Sequence, residues 1–134
     1  MAISKTKMEH PSPTECKATL NAIADALYVI GGKWKLRIIV ALREGNRRFN
    51  ELHRVIDGIS AKVLSAELKD LELNGFVTRN VFTGTPVTVE YELSDYAETL
   101  DGVLKSLSEW GTMHRQNVKN SIKAKAPVEA LVNE

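Results

Sequence analysis

The sequence contains a single cysteine, Cys16, which excludes an internal disulfide framework and is typical of a reducing compartment. It also lacks any run of about eighteen apolar residues, the length that a transmembrane helix needs. Residues 1–13 are mainly polar and contain no apolar core of a secretory signal. We therefore expect a cytoplasmic protein with no membrane partner.

Motifs for catalysis and metal binding are also missing. His10, His53 and His114 are scattered along the chain, and no two of them have the spacing of metal ligands. The sequence contains no P-loop, no GxGxxG motif and no Ser/His/Asp arrangement. We therefore expect neither an enzyme nor a metal site nor a bound cofactor.

The net charge of +1 conceals an uneven distribution of charge along the chain. Residues 33–69 contain nine lysines and arginines and four acids, whereas residues 70–134 contain six basic residues and ten acids. The positive charge is thus concentrated in the middle of the sequence. Such a concentration is the electrostatic footprint of a protein that binds backbone phosphates of nucleic acid.

Residues 45–76 indicate two helices joined by a tight Asp57-Gly58 turn. Ser60 has the position of an N-cap for the second helix, and Asn74-Gly75 is a typical helix stop. Apolar side chains at helical spacing mark the side that each helix buries, namely Phe49, Leu52, Val55 and Ile56 in the first and Leu64, Leu68 and Leu71 in the second, with Val63 beside that stripe.

The second helix of this pair has small, hydroxylated and cationic side chains opposite its apolar stripe. These are Ala61, Lys62, Ser65, Ala66 and Lys69, with Glu67 as the one acid nearby. Two interpretations are open: a helix-turn-helix whose second helix enters a DNA groove, or an ordinary helical hairpin with a solvated polar face. Residues 60–72 include no Asn, Gln or Arg, so the strongest bidentate readers of bases are absent and we expect modest direct readout.

Two helices are predicted upstream of this pair. Residues 1–15 contain two prolines and little apolar surface, and we expect a flexible arm. A helix with one apolar face begins near Thr19 and stops at Gly31-Gly32. The next helix starts at Lys33-Trp34 and is apolar over most of its surface, which is typical of a central, buried helix.

A β-hairpin is predicted downstream of Gly75. Residues 76–82 and 87–93 have the composition and alternation of strands, and residues 83–86 have turn chemistry. Helix, turn, helix and hairpin in this order constitute a winged helix. The predicted fold class is α+β, mainly α, with a winged helix-turn-helix between N- and C-terminal dimerisation helices.

A long final helix, capped by Ser94 or Asp95, is predicted to follow the hairpin and to fray from about Ser121. Its apolar stripe is larger than one small core needs, and such a surface usually marks a partner. We expect a homodimer, and the alternative is a last helix that folds back on its own domain. The expected interface residues are Leu20, Leu27, Leu100, Leu104, Leu107 and Trp110.

A series of motifs in residues 16–114 then matches one family. The motifs are Leu27-x-x-Ile30-Gly31-Gly32-Lys33-Trp34, Arg47-Arg48-Phe49-Asn50-Glu51-Leu52, Gly58-Ile59-Ser60-x-Lys62-Val63-Leu64, Leu68-x-x-Leu71-Glu72-x-Asn74-Gly75, Val89-Glu90-Tyr91-Glu92-Leu93 and Glu109-Trp110-Gly111. Together they resemble the HxlR family of bacterial winged-helix transcriptional regulators. The sequence departs from the family at Lys17, where proline commonly follows the cysteine, and at Ala97, where glycine is usual.

The resemblance implies a homodimeric DNA-binding regulator of MarR-like architecture that reads a near-palindromic operator with paired recognition helices. It implies a winged-helix domain with dimerisation helices over residues 16–114, followed by the end of the last helix and its tail over residues 115–134. The alternative function is a winged-helix protein-interaction module without specific DNA binding. Residues expected to contact double-stranded DNA are Lys33, Lys35, Arg47, Arg48, Ser60, Lys62, Ser65, Lys69, Arg79 and Thr83.

Cys16 is expected near the start of the first helix, where backbone amides favour a reactive thiolate. Some members of the family sense oxidants or electrophiles through a cysteine in this region. The resemblance therefore makes Cys16 a candidate redox sensor, and a small molecule or oxidant a candidate effector; the alternative is a cysteine with no sensing role. Trp34 and Trp110 are expected to pack, one in the core and one at the dimer seam.

Overall fold

The computed structural model describes residue 10 and residues 12–132, with side chains through residue 124. It divides into two compact units, one ending at Thr99 and the other beginning at Leu100. The elements in chain order are α1 (Pro13–Ile30), α2 (Lys35–Arg43), β1 (Arg47–Arg48), α3 (Phe49–Val55), α4 (Ala61–Leu73), β2 (Val77–Phe82), β3 (Thr88–Leu93), a 3₁₀ helix (Asp95–Leu100) and α5 (Asp101–Val132).

The core of the first unit consists of apolar side chains from α2, α3 and α4. Burial of each such side chain stabilises the fold by about 1.5–3 kcal/mol relative to its exposure to water. The predicted apolar stripes of α3 and α4 and the central position of α2 are confirmed, although Val40 and Val55 are half-exposed and Val63 beside the α4 stripe is also exposed. The most deeply buried side chains are Ile38, Ile39, Leu52, Leu64, Leu68 and Leu71.

Local sequence signals determine where α4 begins and ends. The Ser60 hydroxyl accepts a hydrogen bond from the Val63 amide at 3.1 Å, as an N-cap should. Gly75 has a φ of 83°, which lets the chain reverse so that the Phe76 amide donates to the Leu71 carbonyl at 2.9 Å. Both predicted helix boundaries are therefore confirmed.

The hairpin is part of a three-stranded antiparallel sheet with the order β1-β3-β2. Strands β2 and β3 were expected, and their register places Arg79 opposite Tyr91. Strand β1 was not predicted, because two arginines show no alternation of apolar and polar residues. It forms because Arg47 and Arg48 meet Tyr91 and Glu90 of β3, a pairing between distant parts of the sequence.

Helix α1 begins earlier than the sequence analysis predicted. Ser12 is its N-cap, and the Ser12 hydroxyl and Glu15 carboxylate accept each other's backbone amides at 3.2 and 3.1 Å. Pro13 occupies the first helical turn, where its missing N–H costs nothing. The expected flexible arm is therefore wrong for residues 13–15, and the rest of it falls mostly on residues 1–9 and 11, outside the described part.

The last helix also differs from the prediction. A 3₁₀ helix precedes α5, and the α-helical backbone continues to Val132, so the fraying expected from Ser121 is wrong for residues 121–132. Alanine and lysine are frequent there, and both are good helix formers. No helix in the described residues is long and apolar enough to cross a membrane.

Candidate nucleic-acid interface

Helix α4 presents the small and cationic face that its sequence predicts. Lys62, Ser65, Ala66 and Lys69 are all exposed, while Leu64, Leu68 and Leu71 on the other side are buried. We call the exposed side, residues 62, 65, 66 and 69, the α4 face. It offers two ammonium groups and one hydroxyl without a bulky side chain between them, so a groove of duplex DNA can approach closely.

The acid beside the α4 face is neutralised by a lysine of α2. The Lys35 ammonium lies 2.9 Å from a Glu67 carboxylate oxygen and 3.6 Å from Asp70, and the Lys35 side chain is only 13% exposed. Burial acts to lower the pKa of Lys35, but the two carboxylates outweigh it and hold the pKa above its ordinary value of 10.5. Lys35, expected to contact DNA, is thus committed to an ion pair and is not available to a phosphate.

Arg47 and Arg48 separate into a structural and an exposed residue. The Arg47 guanidinium donates to the Ala41 carbonyl at 3.0 Å and to the Glu44 carboxylate at 2.8 Å, and it is half-buried. Arg47 therefore satisfies a carbonyl at the end of α2, and its expected role as a phosphate clamp is not supported by these contacts. Arg48 is exposed at the start of α3, where its backbone amide donates to Glu51 at 2.9 Å.

The start of α2 carries two exposed cations against one aromatic ring. The Lys33 ammonium lies 4.8 Å from the ring centroid of Trp34, and the Arg37 guanidinium carbon lies 5.4 Å from it. Trp34 is half-buried, so its predicted place in the core is only partly correct. Arg37 was not among the predicted DNA contacts, although it is one of few charged residues on a largely apolar helix.

His53 is a second residue that the sequence analysis did not assign. Its Nε2 atom lies 3.0 Å from the carbonyl oxygen of Ile59, the residue before the Ser60 N-cap. Its ring also stacks on Phe49 at 6.4 Å between centroids. His53 therefore ties the end of α3 to the start of α4; no sequence motif identifies such a contact, because it depends on the angle of the turn.

The hairpin supplies the last candidates. Arg79 and Thr83 are both exposed, Arg79 within β2 and Thr83 in the loop that follows it. Asn80 donates to the Glu92 carboxylate across the two strands at 2.8 Å, which stiffens the hairpin and occupies one of its acids. The two paired strands thus form a wing on which the guanidinium of Arg79 is exposed.

The family follows from comparison with known proteins. Residues 29–119 match the model of the HxlR-like helix-turn-helix family. The chain belongs to this family. The HTH-type transcriptional regulator YtcD of Bacillus subtilis is 41% identical over 97 residues, which cover 72% of this chain and 77% of YtcD. The regulator BH0655 of Halalkalibacterium halodurans is 43% identical over 112 residues, covering 79% of this chain and 99% of BH0655.

Solved structures confirm the winged helix-turn-helix fold of this HxlR-like protein. The redox regulator HypR in its reduced form superposes with a TM-score of 0.69 at 34% identity, covering 74% of this chain and 98% of HypR. The chain is therefore a DNA-binding transcriptional regulator of the HxlR-like class, and it is not an enzyme. The predicted family and fold class are confirmed.

Cys16 is exposed on the second turn of α1 in this HxlR-like protein. Its backbone amide is already bonded to the Ser12 carbonyl at 2.9 Å, so it is not one of the unpaired amides of the helix end. The thiol is accessible to an oxidant in solution.

The six residues expected at the dimer interface divide into four that are exposed and two that are buried. Leu20 and Leu27 on α1 and Leu107 and Trp110 on α5 are about half to two-thirds exposed, and Trp110 stacks on His114 at 4.9 Å. Leu100 and Leu104 are buried within one protomer. The assignment of these last two leucines to a dimer interface is therefore wrong, because neither has surface left to bury.

Proposed function

We propose that the protein acts as a homodimer that binds a near-palindromic operator through paired α4 helices. The observation that carries the proposal is the α4 face: its two lysines are exposed, whereas its neighbour Glu67 is paired with Lys35. Positive charge is thus available and negative charge is compensated on the same helix. Since a transcriptional regulator must reach the chromosome, we place the protein in the cytoplasm.

In this proposal the contacts to DNA divide by their chemistry. Lys62, Ser65 and Lys69 enter the major groove, and the hydroxyl of Ser60 donates to a phosphate while its oxygen caps the helix. Arg48, Arg79 and Thr83 meet flanking phosphates from the start of α3 and from the wing. Because the face has no long amide or guanidinium side chain, DNA shape supplies much of the selectivity.

A salt titration tests the DNA-binding proposal. Binding of a random-sequence duplex is measured by fluorescence anisotropy over a range of salt concentrations. We expect affinity to fall steeply and log-linearly with salt, because phosphate contacts release counterions. Absence of binding even at low salt contradicts the proposal and favours the alternative, a winged-helix module that binds proteins.

We propose further that an oxidant or electrophile modulates operator binding through Cys16. The support is the exposed thiol on α1 and the similarity to HypR, a redox regulator. In wild type, a mild oxidant is expected to change the affinity for the protein's own upstream DNA, while Cys16→Ser does not respond. An equal response of both proteins contradicts a role for Cys16 and leaves the DNA-binding proposal intact.

A further inference from the structure

Trp34 brings together two cations whose side chains have no carboxylate partner among the described residues. The ammonium of Lys33 and the guanidinium of Arg37 lie 4.8 and 5.4 Å from the centroid of the indole ring. Both cations are exposed, whereas the ring is half-buried. At these distances the electron-rich ring attracts each cation and restricts its side-chain rotamers.

The ring itself is positioned against the helix-turn-helix. A Cβ atom placed on Gly58, in the turn between α3 and α4, would lie 3.8 Å from Cη2 of Trp34. One residue further along, Lys35 joins the start of α2 to Glu67 and Asp70 of α4. The cations at 33 and 37 are therefore carried by a segment that two independent contacts hold beside α4.

A long cationic side chain loses conformational entropy when it binds a phosphate, and this cost reduces affinity. Contact with an aromatic ring lowers the cost in advance, because the side chain is already restricted. The ring attracts the guanidinium of Arg37 through its face and does not accept hydrogen bonds from it. The guanidinium N–H groups therefore stay free to donate to phosphate oxygens. The ammonium of Lys35, by contrast, is already paired with the carboxylates of Glu67 and Asp70.

We infer that Lys33, Trp34 and Arg37 form a phosphate-binding cluster for the DNA backbone next to the groove that α4 enters. Lys33 and Arg37 contact phosphates, and Trp34 is a positioning residue that pre-orients both cations and does not touch DNA itself. The inference rests on the proposed DNA binding. It adds to that proposal a second basic element, outside the helix-turn-helix and the wing.

Salt titrations of single variants with a random-sequence duplex test the cluster. In the proposed homodimer each substitution removes two phosphate contacts, so Lys33→Gln and Arg37→Gln are each expected to reduce the slope of log affinity against log salt by about 1.8, which is about 0.9 for each contact. Trp34→Leu keeps both charges, so its slope stays near that of wild type while its affinity falls about two- to fivefold. Trp34→Phe retains an aromatic face and is expected to recover part of that loss.

Lys17→Gln is the matched control, since it removes one exposed lysine from α1 and should leave the slope unchanged. If Lys33→Gln and Arg37→Gln also keep the wild-type slope, the cluster does not bind phosphate, although DNA binding by α4 stands. If wild type itself binds no duplex even at low salt, the result contradicts the proposed DNA binding as a whole and not only the cluster. The two failures are thereby distinguishable.

The emission of Trp34 gives a second readout that needs no substitution of the ring. Trp34 and Trp110 are the two tryptophans, so Trp110→Phe leaves Trp34 as the only one. Because Trp110 belongs to the proposed dimer surface, this variant is used after sedimentation and anisotropy have shown that it keeps the oligomeric state and the duplex affinity of wild type; if it does not, Trp110→Tyr replaces it and the Trp34 emission is selected by its excitation at the red edge. Addition of duplex is expected to change the emission of this variant with the same saturation curve as anisotropy, because phosphates approach the two cations that lie on the ring and alter the charge around it. Binding with unchanged emission overturns the positioning role, even if Trp34→Leu fails to fold.

Discussion

Arg47 and Arg48 are neighbours in the sequence, yet their guanidinium groups have different surroundings. Arg47 is bonded to Ala41 and Glu44 at the end of α2, whereas Arg48 is exposed at the start of α3. Lysines that look alike in the sequence differ in the same way: Lys62 and Lys69 on the α4 face are exposed, whereas Lys35 of α2 is paired with Glu67. At the residue scale, the capacity to bind phosphate depends on which cations are already bonded to groups of the protein.

The two arginines form a matched pair for mutagenesis. Arg47→Ala is expected to lower the free energy of unfolding by about 1.5–3 kcal/mol, because it removes charge-assisted hydrogen bonds at a helix end. Arg48→Ala should change stability by less than about 0.5 kcal/mol, as surface substitutions usually do, and should flatten the salt slope of DNA binding. Urea unfolding and anisotropy titrations separate these effects; the reverse pattern would show that the roles are exchanged.

Substitutions on the α4 face test its lysines directly. In the proposed homodimer each substitution removes two cations from the DNA interface, so Lys62→Gln and Lys69→Gln are each expected to reduce the salt slope by about 1.8 and to weaken binding similarly for all duplex sequences. Stability should change little, because both side chains are exposed. A slope equal to that of wild type in both variants would mean that the α4 face does not meet the DNA backbone.

At the scale of elements, α2 has two functions on two sides. Its apolar side chains Ile38, Ile39 and Leu42 fill the core, and its first turn is joined to α4 by Lys35. This ion pair orients α4 and removes the negative charge that Glu67 would present beside DNA. The wing is also joined to the helices, because β1, which directly precedes α3, pairs with β3 of the hairpin.

Lys35→Met is expected to lower the free energy of unfolding by about 1–2 kcal/mol at neutral pH, between the values for exposed and buried pairs. Since the folded-state pKa of Lys35 lies above 10.5, this contribution is complete below that pH. It is lost as the pH rises through the folded-state value. The difference between wild type and variant in urea unfolding should thus be constant from about pH 7 to 9 and shrink in more alkaline solution.

The same variant tests the electrostatic role of the pair. Lys35→Met should weaken duplex binding without flattening the salt slope, because no phosphate contact is lost. Adding Glu67→Gln should restore part of the affinity by removing the uncompensated carboxylate. If the double variant binds no better than Lys35→Met, the pair acts through the orientation of α4 and not through its charge.

For the whole molecule, the exposed apolar side chains of α1 and α5 are the surfaces that we expect to form the proposed homodimer. Leu20 is 63% exposed and Trp110 is 59% exposed. Exposed apolar patches of this kind are unusual on a monomeric protein and usually mark an interface with a partner. A near-palindromic operator requires two α4 helices related by a two-fold axis. Dimerisation by these helices would bury the apolar surface and supply the second reading helix together.

The dimer is tested by introducing charge into the α1 surface. Wild type is expected to sediment as a dimer, and Leu20→Lys combined with Leu27→Lys to sediment as a monomer with weaker operator binding. Val55→Lys is the control, because Val55 is also an apolar residue with about half of its surface exposed but lies on α3. A wild type that remains monomeric at all concentrations contradicts the proposed homodimer.

The sequence by itself determined the elements whose signals are local. The Ser60 cap, the Gly75 stop, the apolar stripe of α4 and the alternation of β3 are properties of a few neighbouring residues, so they could be predicted. The small, cationic composition of the α4 face could be predicted for the same reason. The motifs also identified the family, which the comparisons confirm.

Only the tertiary structure decided which of the predicted DNA contacts are available. Lys35 is paired with carboxylates of α4 and Arg47 is bonded at the end of α2, whereas Arg37 lies exposed against Trp34 and enters the set only by inference. Leu100 and Leu104 were removed from the dimer surface by burial. Sequence shows that a residue is charged or apolar, whereas its availability depends on the neighbours that folding brings from elsewhere in the chain.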